Sequence, residues 1–170
     1  MVRGKDFMET SKMGKLYQEI AVKVNSMIPE EWTKVYLFGE IMSDSRTVYF
    51  FYNRASDGKL IYSHDIPSVC NVDEDLYFQF LHELTLKINE LHIEYKENNE
   101  KEWINMTFIL ERSGKFEAKF CYDSLHQSEY NLYEQKMIWM YEVLGVEPED
   151  ERLKNKLNCY KEKNVKMFWK

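Results

Sequence analysis

Residues 32–63 read WTKVYLFGEIMSDSRTVYFFYNRASDGKLIYS, and their spacing decides the fold class. In the first segment Val35, Leu37 and Ile41 fall on one side of a two-residue period, and Trp32, Tyr36 and Phe38 on the other. The second segment repeats this, with Val48, Phe50 and Tyr52 opposite Tyr49 and Phe51, and its β-branched and aromatic side chains suit a pleated surface. Ser43-Asp44-Ser45 separates the two. Asp57-Gly58 then supplies a pair that tolerates the positive φ of a hairpin turn, ahead of a third strand over Lys59 to Ser63. The stretch predicts a three-stranded antiparallel meander with two apolar or aromatic faces.

Two arrangements satisfy such a meander. Helices can cover one face while neighbouring protein covers most of the other. Alternatively Trp32, Tyr36, Phe38, Tyr49 and Phe51 leave aromatic surface for a partner, since Tyr and Trp are favoured at interface hot spots.

Working outward, Met13, Leu16, Tyr17, Ile20, Val24, Met27 and Ile28 recur at steps of three and four and predict a helix that Pro29 ends. The first dozen residues lack that order and are expected to fray. After the meander, His64 to Cys70 reads as a loop around Pro67. Asn71 with Glu74 reads as a capped start, and Asp73 to Asp75 place negative charge at the positive end of the helix dipole. The long helix that follows carries Leu76, Phe80, Leu84, Ile88, Leu91 and Tyr95 on its stripe and runs to about Asn98. A second hairpin spans Ile104 to Glu111 and Phe116 to Tyr122. Its outer residues Asn105, Thr107, Glu111, Glu117 and Lys119 suggest one wet side. Asn131 and Glu134 again resemble a capped start, with Tyr133, Met137, Met140, Tyr141 and Leu144 on one face until Gly145. Residues 152–170 form a basic C-terminal helix with only Leu153, Leu157 and Tyr160 as apolar stripe, and are expected to be loosely held. The order α-β-β-β-α-β-β-α-α predicts an α+β fold with an antiparallel sheet of about five strands, in one domain over 1–170.

At 170 residues with 44% hydrophobic content, the chain can bury one good core. No apolar run approaches the roughly 20 residues of a membrane span, and the start MVRGKDFMETSK offers no signal-peptide core, so a cytoplasmic site is expected. Cys70, Cys121 and Cys159 are odd in number and lack CxxC spacing, which fits structural thiols in a reducing compartment better than disulfides or zinc. The net charge of −6 is unevenly spread. Arg152 to Lys170 holds seven basic residues and one acid, leaving 16 of the 23 basic and 28 of the 29 acidic residues in the body. Such a body repels nucleic acid and attracts a basic partner.

Enzymatic patterns are absent. The six glycines are scattered, and there is no phosphate loop, GxSxG or HExxH. Ser63-His64-Asp65 has catalytic residue types, but adjacent residues on a strand end point in different directions, whereas a triad is assembled in space. His82 and His92, ten positions apart on a helix, point to different sides and make no metal pair. His126 beside Asp123 and Ser124 reads as turn hydrogen bonding. No cofactor, metal or small-molecule substrate is expected.

Five segments carry a family resemblance: IPEEWTKVYLFGEI (Ile28–Ile41), VYFFYN (Val48–Asn53), KLIYSHDIP (Lys59–Pro67), TFILERSGKFEAKFCYD (Thr107–Asp123) and EQKMIWMYEVLG (Glu134–Gly145). In this order and spacing, over roughly Lys15 to Asp150, the chain resembles the YezG/EsaG immunity proteins of Gram-positive bacteria. The resemblance implies an antitoxin that binds and neutralises a polymorphic toxin, notably a nuclease exported by type VII secretion. The runner-up is an interaction module or secretion adaptor that does not inhibit, and a hydrolase using His64 is the third. For the partner surface, the sequence suggests an acidic rim of Asp44, Asp57, Asp65, Asp73, Glu74 and Asp75 beside Trp32, Tyr36 or Phe38, combining steering charge with buried anchors. Against it, the same acids could serve only as caps and turns.

Overall fold

The computed structural model describes residues 8–125 and 128–168. Helix α1, Ser11–Met27, starts where the Thr10 hydroxyl accepts the Met13 N–H at 3.1 Å, and it buries Met13, Leu16, Tyr17, Ile20, Val24 and Met27. Residues 11 and 12 are therefore helical rather than frayed. The helix stops because Pro29 disfavours helical backbone at Ile28, which turns extended.

The meander forms as predicted. Strands β1 (Trp32–Ile41), β2 (Arg46–Arg54) and β3 (Leu60–Tyr62) pair antiparallel, and β4 (Asn105–Glu111) and β5 (Phe116–Cys121) complete a five-stranded sheet in the order β3-β2-β1-β4-β5. In register, Phe38 stands between Tyr49 and Thr107, and Leu37 between Phe50 and Phe108. One assignment of side is overturned. The pairing slips between Trp32 and Lys34, and an irregularity of one residue flips a side chain to the other face. Trp32 consequently joins Val35 and Leu37, with its indole N–H donated to Asn25 Oδ1 of α1 at 3.1 Å.

The connection after β3 is not a loop. Ser63–Asp65 makes a 3-10 turn and Ile66–Cys70 a short helix, α2, with Pro67 in its first turn, where its missing N–H costs nothing. Asn71 closes α2 in the left-handed conformation, so the cap of the next helix falls to Asp73, whose carboxylate accepts the Leu76 N–H at 2.8 Å. That helix, α3 (Glu74–Asn98), packs beside α1 across one face of the sheet. It buries Tyr77 rather than Leu76, so its stripe is shifted by one position at the start. Gly39 permits the crossing, since a Cβ there would lie 3.1 Å from Ile88.

The opposite face is covered by the end of the chain. Helix α4 (Leu132–Trp139) begins with the predicted capping box, Asn131 Oδ1 accepting from Glu134 N–H at 2.9 Å and Glu134 Oε2 from Asn131 N–H at 3.0 Å. It widens into a π turn over Met140–Leu144, ended by Gly145, before helix α5, Glu151–Glu162. Trp139 is fully buried at the centre of this layer, against Phe38, Tyr49 and Phe51, with its N–H donated to Thr107 Oγ1 at 2.9 Å. The predicted wet side of β4 is thus corrected. Asn105 and Thr107 are buried. Nor is the C-terminal segment loose: Leu157, Tyr160 and Phe168 are buried, and the Met167 and Phe168 amides each donate to Glu142 at 2.7 Å.

Candidate functional site

Where α4 begins above the β3 edge, the second layer leaves a cleft of about 320 Å³. Its floor is Phe38, Tyr49 and Tyr62, its wall Phe168, and its rim Leu132, Tyr133 and Lys136. Leu132 and Tyr133 occupy the outward side of the first turn of α4 and are 67% and 82% exposed. Tyr133 therefore does not line the buried face, as its spacing predicted. Ile138 and Trp139 do. Lys136, one turn on from Leu132 and Tyr133, lies half-buried with its ammonium 3.8 Å from the Tyr62 ring centre, 4.7 Å from that of Tyr49 and 5.9 Å from that of Phe51. Burial holds its pKa below the ordinary lysine range, with Tyr133 and Asp65 acting weakly the other way.

The aromatic surface continues past the rim. His64 stacks on Tyr62 at 4.9 Å and meets the exposed Phe78 of α3 edge-on at 6.1 Å. Burial, then the Lys136 charge, lowers the His64 pKa, against a raising contribution from Asp65. Burial also raises the Tyr62 hydroxyl, followed by Asp65 and Tyr133. These mutual effects place Phe78, His64, Tyr62, Lys136 and Tyr133 in one neighbourhood on the β3 edge, with Asp65 beside it.

Ser63-His64-Asp65 has no catalytic geometry. The Ser63 hydroxyl is fully buried and accepts the Phe50 N–H at 3.1 Å while also lying 3.1 Å from His64 Nδ1, so it serves the sheet and faces no solvent. His92 is bonded to the Trp103 carbonyl at 2.9 Å and His82 is exposed. His126 lies outside the described residues. Among the described residues no cluster of three or more metal-ligating side chains is gathered, and no helix is long and apolar enough to cross a membrane.

The residues of the expected rim are dispersed. Asp44 sits in the β1–β2 turn and Asp57 in the β2–β3 turn, at opposite ends of the nine-residue β2. That separates them by roughly 30 Å at ~3.3 Å per residue. Asp57 accepts from Lys59 N–H at 3.0 Å and pairs with Arg54 at 3.2 Å; the Lys59 amide is the main reason its pKa is low. Asp73 caps α3 and Glu74 and Asp75 lie in its first turn, at the end of the helix whose Phe78 meets His64, the neighbour of Asp65. Trp32 is buried under α1, Phe38 forms the cleft floor, and Tyr36 is half-buried in a separate hollow with Lys34 and Val143. Lys136, Tyr133, Leu132 and Phe168 were missed. Only Leu132 and Tyr133 carried a signal, their position, since a capping box at Asn131 puts them in the first helical turn, where side chains need not face the core.

Residues 13–158 match the family described as immunity protein YezG-like. The chain belongs to the YezG-like immunity protein family. It is 44% identical over 139 residues to Immunity protein YezG of Bacillus subtilis, covering 82% of this chain and 92% of that one. The YezG of Bacillus spizizenii is 42% identical over 153 residues, or 90% and 95% of the two chains. The type VII secretion system protein EsaG of Staphylococcus aureus is 30% identical over 146 residues, or 86% and 90%. The YezG-like match includes the whole of α4 and its rim residues, whereas Phe168 lies beyond it.

Proposed function

We propose that this immunity protein works in the cytoplasm as a stoichiometric inhibitor of a protein toxin, a nuclease delivered by type VII secretion. It binds the toxin with the β3 edge and the start of α4. The observation that supports this most is the exposed Leu132–Tyr133 pair beside an aromatic cleft. Large aromatic and apolar side chains held on a rigid helix are the usual anchors of a tight interface. Asp65, Asp73, Glu74 and Asp75 supply the steering charge for a toxin that must be basic where it grips phosphates, so electrostatics speeds encounter and the anchors slow release. Neither nucleic acid, membrane, cofactor nor metal takes part, and the protein turns nothing over.

A non-inhibitory interaction module or secretion adaptor would use the same surface. The name of the Staphylococcus aureus relative, which speaks of secretion alone, favours it. Co-expression with the toxin encoded beside the gene separates the two. Inhibition predicts survival and loss of nuclease activity in a one-to-one complex, whereas an adaptor would form the complex and leave the cells dying. Turnover of a substrate by the purified protein, abolished by His64→Ala, would refute both.

A further inference from the structure

Lys136 stands apart by its surroundings: Lys34 also lacks an ion pair among the described residues, but its ammonium lies 5.6 Å from one ring, whereas that of Lys136 lies over three. Lys23 reaches Glu83, Lys87 reaches Glu19 at 3.0 Å, Lys96 reaches Glu102 at 2.7 Å and Lys161 reaches Glu147. Lys136 has no carboxylate at ion-pair distance among the described residues, although it is half-buried and its ammonium has given up water to lie over aromatic rings. Cation–π contact offsets part of that desolvation, while burial lowers the ammonium pKa. Two acids lie near it: exposed Asp65, whose charge acts on Lys136, and buried Glu40, which lines the same cleft and whose charge acts on Tyr49; neither is at ion-pair distance from Lys136. Among the described residues this cation has its aromatic contacts but no opposite charge at ion-pair distance. A second body that brings a negative charge gains a great deal, because an ion pair closed inside a water-excluding contact is stronger than one at the surface.

We propose that Lys136 is an anion-recognition residue: its ammonium pairs with a carboxylate side chain of the toxin when the toxin seats on Leu132 and Tyr133. The inference rests on the reading of the protein as a toxin binder. The acidic field of the body and this one cation do different jobs. Field strength at long range draws in a basic partner regardless of detail, whereas Lys136 acts only at contact and fixes which partner, and in which register, can close. Its position above Tyr62, with Leu132 and Tyr133 standing clear of the surface on the preceding turn, gives the incoming carboxylate an apolar collar that excludes water.

The test measures the dissociation constant of the toxin complex by surface plasmon resonance, with melting of the free proteins as control. Lys136→Met keeps the aliphatic stem and removes the charge. It is expected to weaken binding tenfold or more, chiefly through faster dissociation, while the free protein melts no lower than the parent. Lys136→Arg should retain most of the affinity. Neutralising toxin Asp and Glu residues one at a time should reveal one whose loss is not additive with Lys136→Met. An unchanged dissociation constant for Lys136→Met overturns the inference, yet leaves the proposed function standing so long as that variant still protects cells. Failure of the unaltered protein to bind or protect would instead remove the function. Should Lys136→Met melt early, Tyr133→Ala decides, because so exposed a side chain bears no fold: lost affinity supports the surface, and unchanged affinity refutes it.

Discussion

Both faces of the sheet carry helices, yet they are built differently. Toward α1 and α3 the contacts are long helices on aliphatic and aromatic side chains, with a salt-laced outer surface such as Lys23–Glu83 and Lys87–Glu19. Toward α4 and α5 the covering is short, interrupted by a π turn, tied by the Trp139–Thr107 bond and by the amides of Met167 and Phe168 on Glu142, and open at one edge. A layer of the first kind maximises buried apolar area. The second trades some of that area for a cleft and for side chains that stand clear. With the toxin seated as proposed, stability and recognition fall on opposite sides of one sheet, an arrangement in which either could change without dismantling the other.

That division can be broken most forcefully in the first layer. Leu84→Ala and Phe108→Ala remove fully buried side chains and should each cost about 2–5 kcal/mol, seen as a large fall in melting temperature. Losses no greater than those of a surface change would mean that the α1 and α3 side does not carry the stability. In the second layer, Trp139→Phe leaves the buried Thr107 hydroxyl without its donor, and denaturant titration should show a loss of about 1–3 kcal/mol. Glu142→Gln weakens the acceptor for the Met167 and Phe168 amides. A loss of about 1 kcal/mol is expected, with hydrogen exchange accelerated in residues 164–168 while β1 and β2 stay protected. Smallest of all in stability is the triple change of Asp65, Asp73 and Asp75 to Asn, since Asn still caps α3. Its melt should match the parent, while toxin association slows and loses salt dependence; equal rates and salt slopes would move attention to Glu147, Glu149 and Asp150.

Much of this architecture could be read from alternation. The sides of Leu37, Phe50 and Phe108 follow from a period of two, and the sides of Ile20, Leu84 and Ile88 from a period near 3.6. What escaped did so for physical reasons. Trp32 changed sides because one irregular residue reverses every inference drawn from parity. Thr107 looked wet because polarity alone cannot distinguish a solvated hydroxyl from one satisfied by Trp139. Pro67 looked like a breaker because its role depends on whether it begins a helix or interrupts one. Asp44 and Asp57 fall in the turns read from the sequence, whereas Asp65 lies in a 3-10 turn rather than a loop and Asp73 takes the cap expected of Asn71; which ends of the sheet these acids share is a property of topology. Lys136 gave no signal, since a lysine in a helix is ordinarily solvated and only the rings of two distant strands make this one unusual.

The return of the chain over the sheet also determines where a label can be attached. Phe168 is part of the cleft wall, so a fluorophore attached at that position would sit on the surface proposed to meet a partner. Met8 is held at the other side of the molecule, exchanging hydrogen bonds with Asn99 at the end of α3 at 2.7 and 3.1 Å. A label on Met8 is therefore remote from the cleft, whereas one on Phe168 would stand in its wall.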